Sequence, residues 1–372
     1  MVNLVIHKNK HLNRFLILSL FFIGIISSIS LNVTTITTYP PFMEFLPNEN
    51  SIESIKTLAI LGNNFGDSYF WIKDLLESWG CNVTTAGITA TVSSCPHQPP
   101  RPVTVNITTP EITREIIKQF DCVWVPSGAH WTYLVPNPKV HEILSIAYEE
   151  GLVVGSICIG TLVLAHANGI VDGVKVVYYE GSFEKMIEEN ATIVYNTNVV
   201  SDKRLVTAGT GQYQSTNYAV YPFCVALTKS VLGYSSVVST TLVSTIGETN
   251  SNHSITVSTN NLSNIYYGNV STSITSVKAI LNSDNELLHN KIYTLNDDDE
   301  NGIFERNFTL TEEDSFEIDL EVKSLAWGIE SVRSVETYQT ESLAPDYLIP
   351  IFVLSMLVVS YTYIRRKQKK AI

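Results

Sequence analysis

The residues from Lys56 to Gly233 alternate between short apolar runs and segments with helical spacing, and this rhythm constrains the fold more than any other feature. "KTLAILG" is a strand, "FWIKDLLESWG" a helix stopped by Gly80, and "CNVTTAG" a second strand. A long excursion, Ile88 to Pro110, carries "CPHQPPRP". Then come the strand "DCVWVPSG", the helix "NPKVHEILSIAYEEG", the strand "LVVGSIC" and the helix "IGTLVLAHANG". "VKVVYY", "SFEKMIEE" and "ATIVY" continue the series, and "STNYAVYPFCVALTKSVLG" closes it. Repeated strand-helix units require a mostly parallel sheet covered on both faces.

From Ser235 the helical spacing stops. "HSITVSTN", "SITSVKAIL", "NKIYTLND", "GIFERNFTL" and "SFEIDLEVKSLAWG" are short strands between turn residues, as in an antiparallel sandwich. The expected organisation is an α/β domain over 55–233 and a β-sandwich-like domain over 235–342. "NDDDENG", Asn296 to Gly302, clusters carboxylates but lacks the spacing of a helix-loop-helix calcium loop and reads as a solvated turn.

Two charge-free runs flank these parts, Phe15 to Leu31 and Tyr347 to Ile364. The first follows Lys8, Lys10 and Arg14 and is expected to be either a cleaved signal peptide or an uncleaved anchor within 1–34. The second, 347–364, precedes "RRKQKK" in the tail 365–372 and reads as a membrane-spanning helix. Basic flanks at both ends predict a cell-membrane protein held in lipid by its terminal helices, with the middle outside and the tail inside. N-x-S/T glycosylation acceptors from Asn32 to Asn307 are compatible with export. The formal net charge is -12 with no basic stripe between the ends, so nucleic acid is not an expected partner.

The chain has 5 cysteines, so at least one is unpaired within a single copy. Cys81 and Cys95 could form a disulfide in an oxidising compartment, whereas Cys122 and Cys224 stand in apolar patterns and read as packing residues. Cys158 differs, because it ends a strand and opens a helix. Helix N–H groups would favour its thiolate, and Gly160 allows close approach beyond it; a small buried hydrophobe is the alternative. Neither a nucleotide-binding glycine loop nor zinc-like ligand spacing occurs, so no cofactor or metal is expected.

The run "FDCVWVPSGAHWTYLVPNPKVHEILSIAYEEGLVVGSICIGTLVLAHANGIVDGVKVV" resembles the DJ-1/PfpI family of the class I glutamine-amidotransferase-like superfamily. Pro126, Ser127 and Gly128 match the family's turn after the third strand, Ser156 to Gly160 its cysteine elbow, and "ANGIVDGVKVV" the segment after the elbow helix. "VSDKRLVTAGTGQYQSTNYAV" resembles its late signature. The resemblance implies a flavodoxin-like fold over about 56–233 with Cys158 as the elbow cysteine. It also implies departures. Where the family places a Glu, counting gives Ser68, with Asp67 beside it; where the hydrolytic branch often has His after the cysteine, this chain has Ile159.

His130, on a loop at the same sheet edge, is the candidate substitute base, with Asp67 as a second. His166 lies too far along the elbow helix, and His97 falls in the excursion. Backbone N–H groups near Gly128 and Ile159 could form an oxyanion hole. The expected function is binding of a small carbonyl ligand or an extracellular protein partner with little or no turnover. A cysteine hydrolase or glyoxalase-like enzyme using Cys158 with His130 or Asp67, and a thiol redox sensor, are the alternatives; a homodimer is left open.

Overall fold

The computed structural model describes residues 37–38, 52–95, 100–209, 216–246, 251–260, 273–310 and 315–338. The α/β part contains strands β1 (Lys56–Leu61), β2 (Asn82–Gly87), β3 (Cys122–Val125) and β4 (Val153–Ile157), followed by the short β5 (Lys175–Val177). It is completed by the hairpin β6 (Val199–Asp202) and β7 (Leu205–Ala208). Its helices are α1 (Ser68–Ser78), α2 (Pro138–Glu149), α3 (Gly160–His166), α4 (Phe183–Glu188) and α5 (Thr216–Val231). Strands β2, β1, β3, β4 and β7 run parallel in that spatial order.

Side-chain alternation along each strand fills two cores. In β1, Ala59 and Leu61 face one layer with Tyr69, Ile72 and Leu76 of α1 and Phe223 and Leu227 of α5. Leu58 and Ile60 face the other, with Val140, Ile143 and Leu144 of α2 and Val163 and Leu164 of α3. Helices therefore cover both faces, which is the flavodoxin-like arrangement. Asn137 starts α2 by accepting the N–H groups of Lys139 and Val140, with Pro138 in the first turn. The excursion after β2 is partly ordered, since Thr91–Ser93 pairs with Pro102–Thr104 and Ile107–Thr108 adds to the edge of β2.

The remaining strands are β8 (Val237–Ile246), β9 (Ser251–Thr259), β10 (Ile274–Asn282), β11 (Lys291–Leu295), β12 (Ile303–Leu310), β13 (Phe316–Ser324) and β14 (Gly328–Tyr338). They enclose a third core containing Ile255, Val257, Leu281, Phe304, Ile318 and Leu320. Sheet β8-β9-β12 packs on one side of it, with Thr37–Thr38 beside β8. The other sheet is not separate. Strand β14 pairs in parallel with β6, so β11-β10-β13-β14 continues through β6 and β7 into one sheet of 11 strands.

The two expected parts, 55–233 and 235–342, are therefore joined through one continuous sheet. A hairpin at the edge of the parallel sheet leaves β6 with unpaired backbone groups, and β14 satisfies them. Ion pairs reinforce the seam. Asp202 of β6 accepts two hydrogen bonds from the Arg333 guanidinium, the one from Nε at 3.0 Å, and takes the Lys175 N–H at 2.6 Å. Lys175 also reaches Glu321 at 3.1 Å, and Lys229 reaches Glu330 at 2.8 Å.

The expected flanking membrane helices are corrected as well. Among the described residues no helix is long and apolar enough to cross a membrane, and Phe15 to Leu31 and Tyr347 to Ile364 lie outside those residues. In "NDDDENG", Asp297 accepts the N–H groups of Asn301 and Gly302, so its carboxylate closes its own turn. No group of three or more His, Cys, Asp or Glu side chains poised to hold a metal occurs among the described residues.

Candidate functional site

Cys158 stands at the carboxyl end of β4, between β3 and β7. Its φ is 57°, a left-handed conformation that strains a residue with a Cβ and is held only where surrounding contacts enforce it. Those contacts are visible. Its N–H donates to the Ala208 carbonyl at 2.6 Å, and its carbonyl accepts the Thr161 hydroxyl at 2.6 Å and the Thr161 N–H at 3.0 Å. A Cβ on Gly160 would lie 2.6 Å from the Pro126 carbonyl oxygen, so the chain leaves the elbow pressed against the end of β3. The strand-elbow-helix geometry expected from the sequence is present. The following helix is short, however, and the cysteine is only 1% exposed.

The Pro126–Gly128 turn faces the elbow from the neighbouring strand. Gly128 has φ 119°, and a Cβ there would stand 2.1 Å from the Gly66 nitrogen, so the position admits only glycine. The Gly66 N–H donates to the Ser127 carbonyl at 2.7 Å. Ser68 accepts the Ser127 N–H at 2.9 Å and shares a 2.6 Å hydroxyl contact with the Ser127 side chain. Ser68 thus ties two loops together. No hydrogen bond to the Cys158 thiol occurs among the described residues.

Both substitute bases have hydrogen-bond partners other than the cysteine. Asp67 precedes α1 at the surface, where Arg101 binds it at 2.8 Å and stacks its guanidinium 3.6 Å from the Phe70 ring centre. In this conformation the Asp67 carboxylate is half exposed and engaged by arginine. His130 is fully buried. Its Nδ1 accepts the Gly62 N–H at 3.3 Å, so Nε2 carries the proton and donates it to the Pro126 carbonyl at 2.8 Å.

Burial pushes His130 down to about 4, against the smaller opposing effect of the Pro126 carbonyl. Both ring nitrogens are occupied by backbone, and the imidazole fastens the loop after β1 to the turn after β3. The candidate base is a structural tie in this conformation.

Ile159 follows the elbow as an apolar side chain packed against the core that contains Cys158. The N–H groups of Gly128 and Ile159, expected to form an oxyanion hole, donate to no backbone carbonyl among the described residues. Sequence reasoning missed Thr161 and Ser182. Thr161 bonds both the Cys158 carbonyl and, at 2.7 Å, the Ser182 hydroxyl. Their only signal was a pair of hydroxyls in apolar surroundings.

The other thiols have different environments. All five cysteines are free, so the Cys81–Cys95 disulfide that the sequence left possible is not formed in this structure. The Cys81 thiol points to the Ile52 carbonyl at 3.5 Å and the Cys95 thiol to the Asn64 carbonyl at 2.8 Å. Burial pushes the Cys81 thiol up to about 11 and raises those of Cys122 and Cys224 well above the ordinary value. Cys122 and Cys224 are completely buried, as expected of packing residues.

The family model described as "DJ-1/PfpI family" matches residues 56–217. Among solved structures, a two-domain protein of Anabaena variabilis with DJ-1/ThiJ/PfpI-like and ferritin-like domains is 21% identical with a TM-score of 0.42. The match covers 49% of this chain and 49% of that one, about half of the Anabaena protein. A ThiJ/PfpI domain protein of Brachyspira murdochii is 20% identical, covering 48% and 98%, with a TM-score of 0.42. Drosophila melanogaster DJ-1beta is 22% identical, covering 49% and 92%, with a TM-score of 0.41. No curated protein matches the chain. The elbow at Cys158, the glycine turn at Gly128 and the family match together identify residues 56–217 as a DJ-1/PfpI family domain.

Proposed function

We propose that the DJ-1/PfpI domain binds a small carbonyl compound at the Cys158 elbow with little or no turnover. The observation that carries this reading is the engagement of His130, whose two ring nitrogens are both bonded to backbone. Hydrolysis through a cysteine needs a group that takes the thiol proton and returns it to a leaving group. Asp67 is paired with Arg101, Ser68 with Ser127, and Ile159 has no titratable atom. An aldehyde needs less. The thiol sulfur adds to the carbonyl carbon, the thiol proton passes to the carbonyl oxygen, and a hemithioacetal forms reversibly without a leaving group. The N–H groups of Gly128 and Ile159 are suited to hold that oxygen.

The test is carbon NMR with a small aldehyde labelled at its carbonyl carbon. A hemithioacetal resonance in the full chain, absent in Cys158→Ser and reversed by dilution, is the expected result. Equal spectra from both proteins would remove Cys158 from ligand binding.

A further inference from the structure

The turn between β5 and α4 is packed beside the elbow. The Ser182 N–H donates to the Tyr179 carbonyl at 3.1 Å, closing the turn. Thr161 uses its single hydroxyl proton on the Cys158 carbonyl, so in the 2.7 Å contact Ser182 donates to Thr161. The turn is thereby tethered to the backbone of the elbow.

Two glycines show how close the packing is. The position a Cβ would take on Gly209 is 3.3 Å from both the Cys158 Cα and a ring carbon of Tyr179. The corresponding position on Gly181 is 2.7 Å from the Ile159 Cδ1 and 2.8 Å from another Tyr179 ring carbon. Tyr179 therefore lies along the elbow between these glycines, and Ile159 and Tyr179 both pack against the core that includes Cys158.

We propose that Tyr179 is the specificity-determining residue of the elbow site, its ring screening Cys158 so that only compounds of a few heavy atoms reach the sulfur. This inference rests on Cys158 being the ligand-binding group. It adds a size limit. A larger compound must first displace the Tyr179 turn and break the Ser182–Thr161 tether.

The experiment is alkylation of the full chain, with peptide mass spectrometry reporting on each cysteine and the urea-unfolded chain as the fully accessible reference. Iodoacetamide and a bulky maleimide serve as small and large probes. In the native protein Cys158 should react with the maleimide far more slowly than in the unfolded chain. Tyr179→Ala should accelerate maleimide labelling at least about tenfold and narrow the difference between the probes, because the thiol then needs no local opening. Tyr179→Phe keeps the ring and should retain the protection.

Native-like maleimide rates in Tyr179→Ala would overturn the proposal, as would a wild-type rate equal to that of the unfolded chain. If Tyr179→Ala also exposes Cys122 and Cys224, the variant has loosened generally. The decision then passes to Ser182→Ala, which must accelerate Cys158 alone for the proposal to stand. Loss of the aldehyde adduct with the Tyr179 effect intact would instead refute ligand binding and leave the screen in place.

Discussion

Replacing Lys229 by Met tests whether the β-rich part is built into the α/β domain. Lys229 is on α5 and Glu330 is on β14, with side chains only 4% and 12% exposed. The ammonium lies 2.8 Å from the carboxylate and 5.4 Å from the centre of the buried Trp327 ring. Glu330 also accepts the N–H of Ser236 at 3.1 Å and the Ser236 hydroxyl. Methionine retains most of the apolar stem and removes the charge, leaving a buried carboxylate with only the Ser236 donors.

Breaking a buried pair from one side costs about 3–5 kcal/mol. The Ser236 donors place this case near about 3 kcal/mol, which lowers the melting temperature by roughly 4–5 °C in a cooperative unit of about 280 residues or more. Lys229→Met/Glu330→Gln removes both charges and should recover most of the loss. Urea unfolding followed by circular dichroism gives the stability, and hydrogen exchange followed by mass spectrometry gives its distribution. Peptides covering β6 and β14 should exchange together, because Val200 and Ile329 are partners across one sheet. A loss below about 1 kcal/mol, or exchange of β14 well before β6, would refute the fused-sheet account.

Acid should destabilise the protein through His130 and His253, both held near 4 by burial. Between about pH 6.5 and 4 the unfolded chain takes up protons that the native histidines refuse, so stability falls as pH falls, by roughly 3 kcal/mol per residue at the lower end. Urea midpoints should show this slope, and His130→Asn should remove about half of that fall; an unchanged slope would contradict His130's neutral state. Gly128→Ala should destabilise the domain by more than about 2 kcal/mol, since φ is 119° and the new Cβ meets the Gly66 nitrogen. A melting temperature equal to wild type would show that the turn is not as tight as described. Arg333→Met leaves the buried Asp202 carboxylate with the Lys175 N–H alone and should cost about 3 kcal/mol, with Asp202→Asn/Arg333→Met milder than Arg333→Met.

The α/β part was legible because each of its elements carries its own period. Leu58 and Ile60 against Ala59 and Leu61 show the two covered faces of β1 within a few residues. The sheet junction was not legible. Asp202 and Arg333 are 131 residues apart, and the alternation within "GIESVRSVETY" fixes which faces are apolar but not which strand lies alongside.

At the site, the elbow and the glycine turn were readable from residue type, since few residues fit either backbone. The hydrogen bonding of His130 was not readable, because it depends on Gly62, which is 68 residues away in the chain. The pairing of Asp67 was hidden for a similar reason: its partner Arg101 lies across the excursion, 34 residues away.

The most direct test of the central claim is turnover of a small ester and a small dicarbonyl by the full chain, measured beside Cys158→Ser and His130→Gln. With His130 occupied by Gly62 and Pro126, the wild-type rate should stay close to that of Cys158→Ser for both substrates. A robust wild-type rate that disappears in both variants would show that His130 leaves its backbone partners to serve the cysteine, and would contradict the account.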